Sequence, residues 1–293
     1  MKHLVLGGTG TVGRAVVQGL LERGEGVRVL CRSEENAATL PPGAEPVIGD
    51  LQDPGTYGGV FPGAETVFVL NAVAPTELQE GLAAVNEARR AGAGRLVYLS
   101  VQNAERLPHV PHFAGKVAVE NAIRASGVPF TILRPNNFYQ NDLWFRDAIM
   151  EYGVYPQPLG GAGCSRVDVR DIARAAVNAL TQPGHEGRTY TLAGPDALTG
   201  EGCARAYSEA LGREVRYMGD DLDAWERQSL QMLPAWMVYD FRLMYAHFQA
   251  EGLVATDAEL RETETAVGAP PRRFADFVRE TVAAWQTQAA AAS

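Results

Sequence analysis

A chain that runs apolar, turns on glycines and enters a helix within its first thirteen residues has few folds open to it. Lys2-His3-Leu4-Val5-Leu6 reads as a buried strand, Gly7-Gly8-Thr9-Gly10-Thr11-Val12-Gly13 as a tight turn, and Arg14 to Leu21 as a helix. The glycines fit both a G-x-G-x-x-G pattern from Gly8 and a G-x-x-G-x-x-G pattern from Gly7. Glycine adopts positive φ without a Cβ penalty and lets a ligand approach the backbone closely. The free amides of the first helical turn, reinforced by the helix dipole, then face an anion lying in the turn. Strand, glycine turn and helix in this order mark a pyrophosphate-binding βαβ unit. Gly7, Thr9, Gly10, Thr11, Val12 and Gly13 are therefore expected to hold a dinucleotide, with Gly13 letting the helix sit close on the sheet.

Further along, strand and helix signals alternate, which calls for a parallel sheet covered by helices on both faces: an α/β, Rossmann-type doubly wound fold. Strands are expected at 27–31, 46–51, 65–70, 95–100 and 188–193. Helices are expected over 75–91, with Leu78, Leu82, Val85 and Ala88 or Arg89 at helical spacing, and over 169–180. The alternation fades after Tyr139. Residues 1–135 are read as the nucleotide-binding core, with returning segments around 165–195, and residues 136–293 as a smaller, mainly helical substrate lobe. In that lobe an amphipathic helix over 142–152 precedes a Gly- and Pro-rich loop over 153–163. Thr199 caps a helix through Leu211, a short strand spans 214–218, and the chain is helical from Asp220. Gln288 to Ser293 is expected to fray. No internal repeat, low-complexity linker or independent second core stands out.

The strand ends carry the chemistry, because ligands in such sheets bind at the carboxyl ends of the strands. After the second strand, where an NAD-binding fold places an acid, this chain has Arg32 and Ser33. A guanidinium can fork onto a ribose 2′-phosphate and stack on adenine, so NADP(H) is the preferred cofactor, with NAD(H) as the alternative. Otherwise Arg32 is a solvated charge and Ser33 an N-cap. Past the third strand, Asp50 either accepts from the adenine amino group or caps the next turn, and Leu51 can cover the ring. Asn71 and Ala72 are expected along the cofactor, and Ser100, ending the fifth strand, is a candidate site residue.

The stretch from His109 to Glu120 opens a helix with Pro111 in its first turn. His112, Lys116 and Glu120 lie four apart and share a face. The short-chain dehydrogenases carry Tyr-x-x-x-Lys on such a helix; here the lysine position is filled, and the tyrosine position holds His112.

Taken with Phe130 to Asn141 and Val167-Asp168-Val169-Arg170-Asp171-Ile172-Ala173, these features resemble the NmrA-like branch of the atypical short-chain dehydrogenases. The tail Gly268-Ala269-Pro270-Pro271-Arg272-Arg273-Phe274 belongs to the same likeness, which runs nearly the length of the chain. That branch holds NAD(P)H-dependent quinone, azo-dye and triphenylmethane-dye reductases, and also non-catalytic redox-sensing regulators. The resemblance implies that Lys116 contacts the nicotinamide ribose and that Pro135, Asn136, Asn137 and Phe138 line the nicotinamide end. Lys116 and His112 are then the candidate catalytic residues. An imidazole with an ordinary pKa of about 6.5 can donate a proton near neutrality; solvent, or Lys116 through the ribose hydroxyl, can serve instead.

Composition bounds the partners. A net charge of -9 argues against nucleic acid and anionic membranes, both of which need a basic face. The substrate is expected to be a small, flat, apolar molecule, with Trp225, Met232, Trp236, Met237, Tyr239, Phe241, Met244, Tyr245 and Phe248 either lining its pocket or filling the lobe's core. Cys31, Cys164 and Cys203 are scattered and odd in number, fitting a reducing compartment. No stretch has metal-ligand spacing or the Gly-x-Ser-x-Gly of serine hydrolases. With no charged leader and no apolar span, the protein is expected in the cytoplasm, as a monomer or homodimer, with a protein partner if it acts as a sensor.

Overall fold

The computed structural model describes residues 2–291. Strands β1 (Lys2–Val5), β2 (Gly26–Cys31), β3 (Ala44–Ile48), β4 (Thr66–Val69), β5 (Arg95–Leu99) and β6 (Phe130–Pro135) alternate with helices α1 (Thr11–Glu22), α2 (Glu34–Ala37), α3 (Tyr57–Val60), α4 (Glu77–Arg90) and α5 (Pro111–Ala125). Then come α6 (Arg146–Met150), β7 (Val154–Tyr155), α7 (Val169–Thr181), β8 (Arg188–Leu192), α8 (Gly200–Leu211) and β9 (Arg216–Tyr217). Four helices end the chain: α9 (Leu222–Ser229), α10 (Ala235–Ala250), α11 (Asp257–Val267) and α12 (Phe274–Ala291). Seven strands pair in parallel in the order β3-β2-β1-β4-β5-β6-β8. The order reverses between β1 and β4, the position at which a doubly wound sheet opens a crevice beyond its strand ends.

The chain divides into two compact units, one made of 1–135, 169–192 and 262–269, the other of 136–168, 193–261 and 270–293. In the first unit, Leu4, Leu6, Val67, Val69, Leu96, Tyr98 and Ile132 form one wall of a core with residues of α3, α4 and α5. Alternation along each strand turns Val5, Phe68 and Val97 to the opposite face, and all three are buried. Glycines set how close the helices come. A Cβ on Gly19 of α1 would lie 3.1 Å from Val177 of α7, and one on Gly81 of α4 would lie 2.6 Å from Val119 of α5.

Gly81 also corrects the face expected of α4. Its buried residues are Glu77, Gly81, Ala84, Val85 and Ala88, while Leu78 is exposed. Val85 and Ala88 are buried as expected, but the tightest contact with α5 is made by Gly81, while Leu78, though exposed, lies with its Cβ 3.8 Å from where Gly115 of α5 would carry one. A further return of the chain, 262–269, joins this unit beyond the segments expected. Asn178 of α7 donates to the carbonyls of Ala266 and Val267 at 2.9 and 3.1 Å, and the Thr263 hydroxyl donates to Thr191 O at 2.9 Å.

The second unit has a core of its own, which composition along the chain does not reveal because three separate segments build it. At its centre Arg166 and Asp142 are both fully buried and pair at 2.7 Å. Asp142 also accepts from Gln157 at 2.6 Å, Tyr155 at 3.1 Å and Tyr207 at 3.2 Å. Drawing Asp142 inward changes the local helix: Tyr139–Phe145 is 3-10 and only Arg146–Met150 is α-helical. The expected loop over 153–163 contains β7, which pairs in parallel with β9. Thr199 caps α8 as expected, accepting from Gly202 N at 3.0 Å.

The apolar set in the helical tail splits. Met244, Tyr245 and Phe248 are buried, whereas Met232 and Tyr239 stand 76% and 59% exposed, so the nine side chains do not form one wall. Gln288 to Ala291, part of the tail expected to fray, form the last turn of α12; Ala292 and Ser293 lie outside the described residues. Among the described residues no helix is long and apolar enough to cross a membrane, and no group of three His, Cys, Asp or Glu could hold a metal ion.

The Gly81 contact predicts a reversal of sign. Gly81→Ala should cost about 1–2 kcal/mol in the wild type through overpacking. In a Val119→Ala background, where the space is open, it should gain about 1 kcal/mol of helix propensity; denaturant unfolding reads both. Buried His3 and His185 give a second expectation. Burial lowers both pKa values below the ordinary 6.5, so the unfolded chain binds protons first as pH falls. Stability should therefore be full above about pH 6.5 and decline from there toward pH 5. The decline should be shallower in His3→Gln/His185→Gln.

Candidate functional site

The glycine turn between β1 and α1 is packed against its own backbone. Gly7 adopts φ 70°, and a Cβ there would lie 2.6 Å from Leu70 O. A Cβ on Gly13 would lie 2.1 Å from Gly7 O, and one on Gly8 would lie 2.4 Å from Val29. No residue larger than glycine fits these three positions as they stand. Arg14 clamps the turn from outside, donating to Thr9 O at 2.9 Å and Thr39 O at 2.8 Å. Gly10 is the N-cap of α1, offers no side chain to the helix amides, and is followed by a first turn without acids. Thr11 is exposed while Val12 is buried, so the amide end of α1 is open for an anion.

At the end of β4, the next strand across the switch point, Asn71 is buried with both amide atoms unpartnered. Its Oδ1 lies 3.5 Å from where Gly81 would carry a Cβ, so the amide rests against α4. One turn earlier on the same face Glu77 is buried, with Oε2 also unpartnered. Buried polar atoms without partners cost on the order of 1–3 kcal/mol each. A polar ligand that meets them recovers that cost. Together with the glycine cradle, these atoms fit a bound dinucleotide.

Lys116 is where the shared face of α5 divides. Its Nζ donates to Glu77 Oε1 at 2.6 Å and lies 5.9 Å from the centroid of the Tyr98 ring. Burial works against this ammonium, yet its pKa is raised, because its electrostatic interactions with Tyr98 and Glu77 and its hydrogen bond to Glu77 outweigh burial. Burial pushes the Tyr98 phenol up to about 12, so near neutrality Tyr98 is uncharged and Glu77 is the effective partner. Glu120, one turn on, turns elsewhere. It accepts from Arg134 at 2.9 and 2.6 Å, from Arg124 at 2.8 Å and from Ser100 at 2.6 Å. Burial works against this carboxylate, but the hydrogen bonds from Arg134 and Ser100 hold its pKa below the ordinary value. His112 is half-buried and packs edge-on against Phe113 with centroids 4.6 Å apart.

Other expected site residues divide between open and committed. Arg32 is exposed beyond β2. Ser33 accepts from Asn36 N at 3.3 Å as the cap of α2. Asp50 caps the turn that follows it, accepting from Gln52 N at 2.9 Å, and Asp53 caps the 3-10 turn beyond. Leu51 is buried in the first unit's core, while Ala72 is exposed. The Ser100 hydroxyl is spent on Glu120. Pro135 ends β6, and its carbonyl accepts from Gln102 N at 2.9 Å. In the second unit Asn136 donates to Leu253 O at 2.7 Å. Asn137 Oδ1 accepts from Arg166 at 3.0 Å, and Phe138 O accepts from Arg166 at 2.6 Å.

Sequence reasoning did not find Glu77, Tyr98 or Arg134. Glu77 in the first turn of a helix reads as an ordinary favourable charge at a helix start, and only the fold shows it buried against Lys116.

Comparison with known proteins agrees with this architecture. The chain is 35% identical over 286 residues to NAD(P)H azoreductase of Xenophilus azovorans, covering 96% of this chain and 98% of that protein. It is also 35% identical to the (4-alkanoyl-5-oxo-2,5-dihydrofuran-3-yl)methyl phosphate reductase of Streptomyces griseus, covering 94% and 96%. Among solved structures, the NADPH-dependent quinone oxidoreductase of Escherichia coli complexed with NADPH superposes with a TM-score of 0.85 at 21% identity, covering 96% and 99%. At that identity the likeness speaks for the fold. A model of the NmrA-like family matches residues 2–266, and with full-length relatives at this identity the chain belongs to the NmrA-like family.

Proposed function

We propose that this protein is an NADP(H)-dependent reductase that passes hydride to quinones or to similar small conjugated carbonyl or azo compounds. The observation that carries the reading is the pair of half-finished polar sites at the switch point. The glycine cradle leaves the α1 amides open, and Asn71 and Glu77 keep buried polar atoms without partners. Full-length relatives named as NAD(P)H azoreductase and as (4-alkanoyl-5-oxo-2,5-dihydrofuran-3-yl)methyl phosphate reductase support the reaction class. Gly7, Thr9, Gly10, Thr11, Val12 and Gly13 take the pyrophosphate, Asp50 and Leu51 the adenine side, and Asn71 and Ala72 the run along the strand ends, where Ser100, its hydroxyl given to Glu120, offers only its backbone. Arg32, uncommitted beyond β2, faces the 2′-phosphate.

The nicotinamide supplies the hydride, and the protein supplies orientation and charge. Lys116 stays protonated beside Glu77 and holds the ribose hydroxyls. Reduction of a quinone produces a phenolate, which needs no strong acid, so His112 or solvent can deliver the proton. Asn136 and Asn137 spend side-chain bonds within their own unit, so a nicotinamide role for Pro135 to Phe138 falls to their backbone and to the Phe138 ring. The three cysteines are free and buried, in keeping with a cytoplasmic protein. A second reading, a redox sensor acting on a protein partner, draws on one observation: the helix carries His112 where a catalytic tyrosine would stand.

Purified protein mixed with NADPH and a panel of quinones and azo dyes is expected to oxidise the cofactor over many turnovers, followed by absorbance. Tight NADPH binding with no turnover on any acceptor would favour the sensor instead. In the same assay, undiminished turnover by His112→Ala would remove the imidazole as proton donor. Arg32→Ala is expected to weaken NADPH binding about tenfold, or about 1.4 kcal/mol, and to leave NADH binding as it was. Equal losses for both nucleotides would show that Arg32 does not read the 2′-phosphate.

A further inference from the structure

Lysine is nearly absent from this chain: 24 arginines accompany two lysines, Lys2 and Lys116. Lys2 sits on the surface, paired with Glu45 at 3.0 Å. Lys116 is interior, its side chain 8% exposed against 6% for Glu77. In a protein that otherwise uses guanidinium, an interior position keeps the compact ammonium on its flexible stem.

Three elements present charged or titratable groups to that ammonium. Tyr98 comes from β5 and is neutral near neutrality. Glu120 and His112 flank Lys116 on α5 itself, and Glu120 is already occupied by Arg134, Arg124 and Ser100. Glu77 comes from α4, and its carboxylate is the one in hydrogen-bond contact with Nζ. The distance between the two helices is set by the Gly81–Val119 contact, so the pair is held by packing as well as by charge.

We propose that Glu77 is a positioning residue for Lys116: its carboxylate keeps the buried ammonium charged and pinned toward α4, in the one orientation from which it meets the ribose hydroxyls of a bound nucleotide. The proposal rests on the reading that Lys116 serves the nucleotide. Without the carboxylate, burial acts on the amine against only the neutral Tyr98 phenol and the already paired Glu120, which shifts it toward its neutral form, and the stem is free to swing.

The scarcity of lysine makes a direct test available. Protein labelled with 13C-lysine shows one Cε resonance from Lys2 and one from Lys116, each reporting its own ionisation. In wild type the Lys116 resonance is expected to stay at its charged position past about pH 10. In Glu77→Gln its midpoint should fall by at least about one pH unit, while Lys2 is unchanged. NADPH affinity should fall about tenfold in Glu77→Gln, and Glu77→Gln added to Lys116→Gln should cause no further loss, because the carboxylate acts through the ammonium. An unmoved Lys116 midpoint, or losses that add in full, overturns the proposal. If Glu77→Gln fails to fold, Glu77→Asp keeps the charge but shortens its reach. It should leave Lys116 protonated over the same range yet weaken NADPH binding; wild-type affinity in that variant overturns the proposal. The titration is read without nucleotide. A wild type that binds no NADPH would therefore end the reductase reading and leave the Glu77–Lys116 coupling to be judged by its own measurement.

Discussion

The close approach of α1 to β1 is the constraint from which the rest of the first unit follows. Gly13 has no room for a Cβ against the carbonyl of Gly7, and Gly7 has none against Leu70. A helix seated that tightly points its amide end toward the place where the strand order of the first unit reverses. The same device recurs on both faces of the sheet. Gly19 admits Val177 and Gly81 admits Val119, so glycine in this protein serves helix packing as much as turning. Such positions fill a core to native density without overpacking.

Within that frame, buried charge is handled by saturation. Glu120 is met by two arginines and a serine, and Asp142 by an arginine, a glutamine and two tyrosines. Removing one partner from such a network leaves an uncompensated charge, which is costly. Lys116 and Glu77 depart from the pattern. They satisfy one another through a single contact and leave Glu77 Oε2 and the Asn71 amide open. The saturated networks are structural. The pair of Lys116 and Glu77 differs from them in leaving buried polar atoms unmet.

Much of the first unit was legible because its signals are local. Gly7 to Gly13 follow an apolar run and precede a helix, Pro111 opens α5, and Thr199 caps α8 three residues before the amide it accepts. Each of these depends on residues within a turn or two of one another. What escaped reading depends on residues far apart in sequence. Leu78 looks like a core residue until Gly81 makes the tightest contact with α5. Glu77 looks like a solvated N-terminal acid until α5 is laid beside it. Asp142 looks like the polar side of a helix until Arg166 draws it into the second unit, shortening that helix as it does so.

The order of strands and helices, the glycine cradle, the lysine of α5 and the kinship of the chain were all determined by the sequence itself, since periodicity and turn chemistry act over a few residues. Tertiary structure alone decided which polar groups are consumed and which stay open. Ser100 and Asn136 are spent on neighbours brought in from elsewhere in the chain, whereas Asn71 is left unpaired. The reason is physical: a backbone conformation is chosen by near neighbours, but whether a buried donor finds its acceptor depends on which distant segment the fold packs against it.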